Sequence, residues 1–308
     1  MSVDGKRIGV LMGGCSSERE ISLVSGRAVS QALRSAGKTV VPLELLCETE
    51  EEILRLVREH MVDIVFVAMH GGFGEDGRLQ RILEKACIPF TGPQSEPSRL
   101  AMDKIASRWM FRQAGLHIPK ARVVRGRLYF WSILGLRYPL VVKPSNQGSS
   151  IGISFVDSSA GLKKAVETAL RFSPSVLVEE YIKGREITVS VLDGKALPVV
   201  EIVPKKQFFD YQAKYEQGFT EYVVPARLDE AVLKQAQQDA VTAYWTLGCR
   251  HLSRADMIIS NDNVPILLEV NTIPGFTERS LFPKAAQAAG ISFDRLCLKL
   301  VELANGQK

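Results

Sequence analysis

The stretch Arg254–Thr277 reads RADMIISNDNVPILLEVNTIPGFT, and it decides how the C-terminal part of the chain folds. ADMIIS is apolar and strand-like, SNDN is a run of turn formers, and PILLEVN is a second strand-like run. The pattern predicts a β-hairpin with a two-residue turn centred on Asp262 and Asn263.

The predicted register places four polar side chains on one face of this hairpin. Asp256 lies opposite Glu269, and Arg254 lies opposite Asn271, because side chains two apart on a strand share a face. The two opposed carboxylates repel each other unless a cation lies between them. Oxygen ligands with no nearby Cys or His suit Mg²⁺ or Mn²⁺. The alternative is a surface hairpin whose charged face meets water.

Composition bounds the class of protein. The chain has 308 residues, of which 46% are hydrophobic, and this length allows two or three domains with proper cores. The net charge of +5 agrees with an anionic substrate. We expect no nucleic-acid partner, because no dense run of Lys and Arg and no interleaved aromatic patch occurs.

Two further features predict a cytoplasmic protein with no membrane partner. The start, MSVDGKRIGVLMGG, has too few apolar residues for a signal peptide or a membrane span, and no later stretch approaches about 18 apolar residues. The five cysteines are scattered and include no CxxC motif, which is typical of reduced thiols in the cytosol.

The first third of the chain predicts an α/β domain with a parallel sheet, in the order β-α-β-α-β-α-β, with Ile88–Phe90 as its fourth strand. A turn at Gly13 and Gly14 precedes the first helix and resembles an anion site, although the third glycine of a dinucleotide fingerprint is absent. Glu18 is either a helix N-terminal acid favoured by the dipole or a carboxylate that grips a substrate ammonium. The loop His70–Gly77 follows a buried strand, where α/β sheets place ligands.

The middle of the chain holds a second candidate anion site. We expect one helix over Leu100–Gly115 and a strand over Tyr138–Lys143 that runs into the loop PSNQGSSIG. The flexible backbone, hydroxyls and lysine of this loop suit a phosphate cover, and the alternative is a polar turn. Lys205–Thr220 is long, aromatic and without periodicity, which is typical of a functional lid or of disorder.

Eight stretches in order carry a family resemblance. They are GGCSSEREISLVSG, HGGFGEDG, MDK, VVKPSNQGSSIG, VEEYIKGREITV, FFDYQAKY, RADM and LEVNTIPGFT. Together they closely resemble the D-alanine–D-alanine ligases of the ATP-grasp superfamily, from about Ile8 to Leu303. Each stretch alone is weak, but eight in order are highly specific.

The resemblance implies a fold class and a reaction. The fold is α/β (α+β), with an N-terminal parallel-sheet domain over residues 1–98, a central ATP-grasp subdomain over 99–183, and a C-terminal ATP-grasp subdomain over 184–308. Two antiparallel sheets would clamp ATP. The implied reaction joins two D-alanines through an acyl phosphate, releases ADP and phosphate, and serves peptidoglycan synthesis.

The resemblance also implies an ATP site and a metal site. Lys104 and Lys143 match phosphate-binding lysines, and the loop around Ser149 matches the cover over the γ-phosphate. The positions matching those that read the adenine and the ribose are Glu179, Glu180, Tyr181, Ile182, Glu186 and Phe208. Two Mg²⁺ or Mn²⁺ ions are implied at Asp256, Glu269 and Asn271, with Glu269 bridging them.

The implied substrate site uses residues from most of the chain. Arg254 and the Gly275 backbone match the groups that stabilise the tetrahedral oxyanion. A hydrogen-bonded triad of Glu18, Ser149 and Tyr215 is implied to bind D-alanine and to favour it as second substrate. The other implied pocket residues are His70, Lys214, Ser280 and Leu281.

The family implies a homodimer through the N-terminal domain, with ATP and two D-alanines as partners. Two alternatives stay open. One is another ATP-grasp carboxylate–amine ligase, of the D-alanine–D-lactate or D-serine type. The other is a non-catalytic nucleotide sensor, which the presence of both metal carboxylates, the lysines and Arg254 disfavours.

Overall fold

The structure is a computed structural model, and it describes residues 3–126, 133–204 and 220–306. Three hydrogen-bonded sheets run through these ranges, one parallel and two antiparallel. Within the same ranges, no helix is both long and apolar enough to cross a lipid bilayer. The predicted mixture of a parallel sheet near the N-terminus and antiparallel sheets after it is confirmed.

The first sheet is parallel and has the strand order β2-β1-β3. Its strands and helices are β1 (Arg7–Gly13), α1 (Arg19–Ser35), β2 (Thr39–Leu45), α2 (Glu50–Glu59), β3 (Ile64–Val67) and α3 (Arg78–Lys85), with a 3₁₀ turn at Gly72–Gly74. Thr49 caps α2 by accepting a hydrogen bond from the backbone N–H of Glu52. The fourth predicted strand is reduced to a single bridge between Val65 and Phe90.

The helix predicted over Leu100–Gly115 is instead two helices, α4 (Ser95–Met102) and α5 (Lys104–Gln113). They meet at Asp103, whose backbone is extended and whose side chain accepts hydrogen bonds from the first N–H groups of α5. The N-cap interaction starts a new helix there and makes Lys104 its first residue. This break turns the Lys104 backbone N–H toward the Ser145 carbonyl, 3.0 Å away.

The second sheet is antiparallel, in the order β4-β7-β5-β6. It comprises β4 (Ala121–Arg125), β5 (Leu140–Pro144), β6 (Ser154–Val156) and β7 (Ser175–Glu180), with α6 (Ser159–Leu170) packed on one face. The central strand β7 places Glu179 between β4 and β5, where it pairs with Ala121 and Val141. The predicted phosphate loop begins at the C-terminal end of β5.

The third sheet has the order β11-β10-β8-β12-β13, with β9 paired to β8. Its strands are β8 (Gly184–Leu192), β9 (Lys195–Ala196), β10 (Val200–Pro204), β11 (Thr220–Val223), β12 (Leu252–Ser260) and β13 (Pro265–Asn271). The helices of this region are α7 (Glu230–Thr246), α8 (Leu281–Ala288) and α9 (Phe293–Asn305). The face of the sheet that carries Ile187, Ala255 and Leu267 packs against α7.

The hairpin β12–β13 has the predicted polar pairs but not the predicted turn. Arg254 pairs with Asn271 and Asp256 with Glu269, as expected. The two-residue turn is wrong, because the N–H of Ser260 bonds to the carbonyl of Val264 and leaves a three-residue loop between them.

A bulge restores the register of this hairpin. Met257 pairs with Leu267 while Asp256 pairs with Glu269, so Leu268 is the extra residue on β13. Burial changes phase at this point, since Pro265 and Leu267 are buried before it and Val270 is buried after it. The bulge therefore brings Glu269 onto the face of Asp256.

The last helix joins the core of the first sheet. Leu296, Leu300 and Val301 of α9 pack in one cluster with Ile8 and Val29 from the N-terminal sheet and α1. The apolar residues of α9 recur at helical spacing and therefore form one face of the helix, which packs against α1. Helices from both ends of the chain, α1 and α9, thus cover one face of the N-terminal sheet, and α2 and α3 pack against its other face.

His251 lies buried where the first sheet meets the third, and its Nδ1 accepts a hydrogen bond from the backbone N–H of Gly92 (3.2 Å). Burial, together with the charge of Arg250, lowers its pKa from 6.5 to about 3. Between these values the unfolded chain binds a proton at His251 that the folded chain does not. The free energy of unfolding therefore decreases as pH falls from about 6.5 toward 3.

We expect wild-type unfolding free energy to fall by up to about 1.4 kcal/mol per pH unit more steeply below pH 6 than that of His251→Gln. Glutamine can still accept the Gly92 hydrogen bond but does not titrate. Denaturant unfolding between pH 5 and 7.5 measures the difference. Parallel pH profiles for the two proteins would contradict the role of His251.

Candidate active site

Arg254 and Asp256 form a tight ion pair on the polar face of the hairpin. The Arg254 Nε lies 2.8 Å from Oδ1 of Asp256, and its Nη2 lies 2.7 Å from Oδ2. Thr188 on β8 donates a third hydrogen bond to Oδ1, at 2.7 Å. Burial pushes the pKa of Arg254 down, but the charge and hydrogen bonds of Asp256 outweigh it and raise that pKa. Arg254 therefore stays a cation in this site.

Glu269 meets the predicted phosphate lysine. The Lys104 ammonium lies 3.2 Å from Oε2 of Glu269, and it donates a 2.7 Å hydrogen bond to the carbonyl of Gln147. One buried cation thus joins the hairpin β12–β13, which carries the predicted metal ligands and is called the metal hairpin below, to the predicted phosphate loop. Asn271, the third predicted metal ligand, accepts a hydrogen bond at Oδ1 from the backbone N–H of Ile273 (2.9 Å).

The donors on this face fit a hard divalent ion. Across residues 3–126, 133–204 and 220–306, no group of three or more His, Cys, Asp or Glu side chains is arranged to hold a metal. The candidate set here is two carboxylates and one amide, all oxygen donors from the paired strands β12 and β13. Such donors suit Mg²⁺ or Mn²⁺, which complete their shells with water and substrate phosphates.

Lys143 lies in a buried ion triad. Its ammonium is 2.6 Å from Oε2 of Glu179, whose Oε1 lies 2.5 Å from Nη1 of Arg108. Arg108 also donates from Nη2 to the carbonyl of Pro119. Burial lowers the pKa of Arg108, and the charge of Glu179 opposes that shift. Arg108 was not among the predicted site residues, since an arginine inside a helix carries no functional signal of its own.

The other predicted adenine and ribose positions that the structure describes lie at the end of β7 and the start of β8. The Glu180 carboxylate accepts from the backbone N–H of Arg137, and the N–H of Tyr181 donates to the carbonyl of Pro139. The ring of Tyr181 is exposed and meets Phe155 edge to face. Ile182 follows in the connection to β8, and Glu186 lies on β8 with Ile202 and Ile258 as its strand neighbours.

Glu18 and Ser149 meet across the site, although 131 residues separate them. The Ser149 hydroxyl donates to the Glu18 carboxylate, which is buried. Glu18 occupies the N-cap position of α1 but makes no capping bond with its side chain. Its carboxylate instead abuts Gly71, where a Cβ would overlap it. The Glu18 side chain therefore lies at the start of α1, in contact with Ser149 and Gly71, without capping the helix.

His70 is buried beside this pair. Its Nε2 lies 2.8 Å from the Ser25 hydroxyl, and its Nδ1 lies 3.2 Å from the Ile273 carbonyl and 3.8 Å from the Glu75 carboxylate. Ser25 also accepts from the backbone N–H of Phe276, at 3.3 Å. Ser25 therefore couples His70 to the segment that follows the metal hairpin. The acidic loop HGGFGEDG was a signal for Glu75, but Ser25 had none.

The segment after the hairpin forms a compact turn. Ser280 precedes α8, and its hydroxyl accepts from the Thr277 N–H at 3.1 Å and pairs with the Thr277 hydroxyl at 2.9 Å. Gly275 lies close enough that a Cβ there would be 3.3 Å from the Ser280 hydroxyl. The predicted pocket residues Gly275, Ser280 and Leu281 are thus brought together.

Three predicted site residues, Phe208, Lys214 and Tyr215, lie outside the described residues, as does most of the predicted lid. Among the remaining predicted positions, Glu18 contacts Ser149 and Lys104 contacts Glu269, so the start of α1, the start of α5, the phosphate loop and the hairpin meet. Thr188, whose hydroxyl bonds Asp256, was missed because a threonine in a strand gives no signal of function.

Two family models match the chain. The model described as D-ala D-ala ligase C-terminus matches residues 129–302, and the one described as D-ala D-ala ligase N-terminus matches residues 44–93. A D-alanine–D-alanine ligase of Anaeromyxobacter dehalogenans is 44% identical over 97% of this chain and 96% of that protein. One from Halalkalibacterium halodurans is 39% identical over 97% and 99%.

Solved structures agree with these relatives. The D-alanine–D-alanine ligase of Bacillus anthracis complexed with ATP superposes with a TM-score of 0.87 at 32% identity, covering 98% of each chain. The VanG D-Ala:D-Ser ligase of Enterococcus faecalis superposes with a TM-score of 0.83 at 32% identity, covering 97% of this chain and 99% of that one. The chain therefore shares both sequence and fold with these proteins along nearly its whole length.

Proposed function

The chain belongs to the D-alanine–D-alanine ligase family, and we propose that it joins two D-alanines into D-alanyl-D-alanine at the expense of ATP. ATP becomes ADP and phosphate, and the dipeptide serves peptidoglycan synthesis. The family fold is the ATP-grasp fold, with the antiparallel sheets formed by β4–β7 and by β8–β13. The domain limits near residues 98 and 183 are part of this proposal.

One observation carries the proposal. The Lys104 ammonium contacts both the Glu269 carboxylate and the Gln147 carbonyl, so the metal hairpin and the phosphate loop share one cation. A triphosphate held at this junction would meet lysines, metal ligands and loop N–H groups together. That arrangement suits transfer of a γ-phosphoryl group.

The chemistry explains why these groups are needed. A carboxylate and an amine do not form an amide without activation, so the first D-alanine carboxylate takes the γ-phosphoryl group and becomes an acyl phosphate. The amine of the second D-alanine then attacks the acyl carbon, and phosphate leaves. The guanidinium of Arg254, which lies on the polar face of the hairpin, and the backbone N–H of Gly275 would stabilise the tetrahedral oxyanion.

Two Mg²⁺ or Mn²⁺ ions would be held by Asp256, Glu269 and Asn271, whose oxygen donors lie on the paired strands β12 and β13. When bound, the ions would neutralise charge on the phosphates and polarise the transferred group. The negative charges of the two carboxylates are each paired with a cation of the protein, since Arg254 contacts Asp256 and Lys104 contacts Glu269.

The Glu18 carboxylate would hold the ammonium of the first D-alanine. It is buried, bonded to Ser149, and placed at the start of α1 beside His70 and Gly71. We include Lys214, Ser280 and Leu281 as substrate-binding residues, and Phe208 as the aromatic residue over the base. A homodimer through the N-terminal domain and a cytoplasmic location complete the proposal.

The test is ADP release with Mg²⁺, ATP and each of D-alanine, L-alanine, D-alanine plus D-lactate, and D-alanine plus D-serine, with products identified by mass. We expect turnover with D-alanine alone and a D-alanyl-D-alanine product. Turnover only with another acceptor would keep the fold and discard the substrate. Tight ATP binding without any turnover would favour a nucleotide sensor.

We propose further that Tyr215 completes a triad with Glu18 and Ser149 and favours D-alanine over D-lactate as acceptor. We expect Tyr215→Phe to reduce the ratio of dipeptide to D-alanyl-D-lactate by about tenfold, on the order of one hydrogen bond to a charged group. Product ratios under competition at fixed pH measure this, with Tyr181→Phe as control. An unchanged ratio would remove Tyr215 from the specificity site.

A further inference from the structure

The buried ion triad of Lys143, Glu179 and Arg108 contains two cations and one anion. Among the side chains that the structure describes, the Lys143 ammonium has one ionic partner, Glu179, at 2.6 Å. All three side chains of the triad are buried, with at most 9% of each exposed. Buried ion pairs contribute little to stability, because desolvation offsets their attraction. The triad therefore calls for an explanation other than stability.

A Lys143–Glu179 pair alone would be electrically neutral. The ammonium would then offer an incoming phosphate a dipole rather than a charge, since the carboxylate cancels it at close range. Arg108 changes this balance by pairing with the other oxygen of Glu179, at 2.5 Å. The triad of two cations and one anion keeps a formal charge of +1 in a buried place, where charges act most strongly.

The position of Arg108 is fixed independently of Lys143. Its second amino group donates to the carbonyl of Pro119, just before β4. It also lies one turn after Lys104 on α5, so both side chains share a face of that helix. One helix thus contributes a cation to each side of the loop, Lys104 directly and Arg108 through Glu179.

We propose that Arg108 is a positioning residue for the triphosphate, which acts through Glu179 to hold Lys143 in place and to keep the pocket cationic. The inference rests on the proposed ATP-binding role of Lys143. Arg108 itself touches no substrate, because Glu179 and the Pro119 carbonyl occupy its guanidinium.

The experiment compares dissociation constants for ATP and for adenosine by calorimetry, since only ATP carries phosphates. In each variant the ratio of the adenosine constant to the ATP constant reports phosphate binding alone. We expect Arg108→Gln to lower this ratio about tenfold and Arg108→Lys to keep it within about threefold of wild type. Arg112→Gln, which removes an equal charge from an exposed position of the same helix, should leave it unchanged.

A double variant separates charge from mere structure. Arg108→Gln with Glu179→Gln removes both extra charges and leaves Lys143 uncancelled, so the ratio should return to within about threefold of wild type. A double variant whose ratio stays about tenfold below that of wild type would overturn the inference, and so would an equal loss of ATP and adenosine binding in Arg108→Gln alone. The double variant still tests the inference if Arg108→Gln alone fails to fold.

Lys143→Met distinguishes this inference from the function beneath it. If Lys143→Met binds ATP as tightly as wild type, the phosphate role of Lys143 is wrong, and the proposed function loses that contact. If Lys143→Met binds ATP weakly but Arg108→Gln binds it as wild type does, only the role of Arg108 is wrong.

Discussion

Replacing Glu269 by glutamine should lower kcat by at least about 10³-fold, with little change in melting temperature. Glutamine has nearly the same shape, but its neutral amide cannot bridge two divalent ions or balance the Lys104 ammonium, 3.2 Å from the carboxylate. Glu269 is only partly buried at the end of a paired strand, so the hairpin itself should persist. ADP release at saturating D-alanine, titrated with Mg²⁺ and with Mn²⁺, measures the effect.

Asp262→Asn is the matched control for this variant. It removes one carboxylate from the same hairpin, but from the exposed loop at the far end. Its activity and metal dependence should equal those of wild type. If Glu269→Gln kept more than about a tenth of wild-type kcat at any metal concentration, the hairpin would not be the metal site.

Replacing Arg254 by lysine should lower kcat about 10²- to 10³-fold, which is the loss expected for one oxyanion donor. Lysine keeps the positive charge but cannot donate two parallel hydrogen bonds to both oxygens of Asp256, as Arg254 does at 2.8 and 2.7 Å. The defect should appear in kcat more than in the KM for ATP. Steady-state kinetics with each substrate varied in turn separates the two.

Arg295→Lys controls for the general effect of such a change, since Arg295 pairs with Glu302 on the exposed side of α9. Its kinetics should match wild type. A full-activity Arg254→Lys enzyme would show that charge alone suffices, and the oxyanion role of the guanidinium would be withdrawn.

The hairpin β12–β13 shows which structural features a local sequence pattern predicts and which it does not. Alternation of apolar residues predicted both strands, and the polar pairs Arg254–Asn271 and Asp256–Glu269 are confirmed. The turn was wrong because two irregularities, a three-residue loop and the bulge at Leu268, cancel each other. Each shifts the register by one residue in opposite senses, and a pattern read from the pairs alone cannot separate them.

The helix break at Asp103 was within reach of the sequence. Aspartate is among the preferred N-cap residues, and here it caps α5 with bonds to two backbone N–H groups. The apolar periodicity that continues on both sides hid the boundary. Its practical result is that Lys104 begins a helix, which aims its side chain at the phosphate loop.

The charge pairs of the site were beyond sequence reasoning. Arg108 and Glu179 are 71 residues apart, and Ser149 and Glu18 are 131 apart. Local patterns identify strands and loops, but only the packing of three sheets decides which loop ends meet. Local patterns singled out Glu18 and Lys143, and the family resemblance added Lys104. Arg108, Ser25 and Thr188 contact the predicted site residues Glu179, His70 and Asp256, but no pattern identified them.

The paired irregularities of the β12–β13 hairpin constrain how this chain can change in length. Leu268 is the extra residue of the bulge, so deleting it would leave Met257 paired with Leu267 and Asp256 paired with Glu269, and Glu269 would stay on the face of Asp256. Deleting Val270 would instead turn Asn271 to the opposite face, because no bulge lies between Glu269 and Asn271. A single deletion should therefore be tolerated at Leu268 and should destroy the site at Val270.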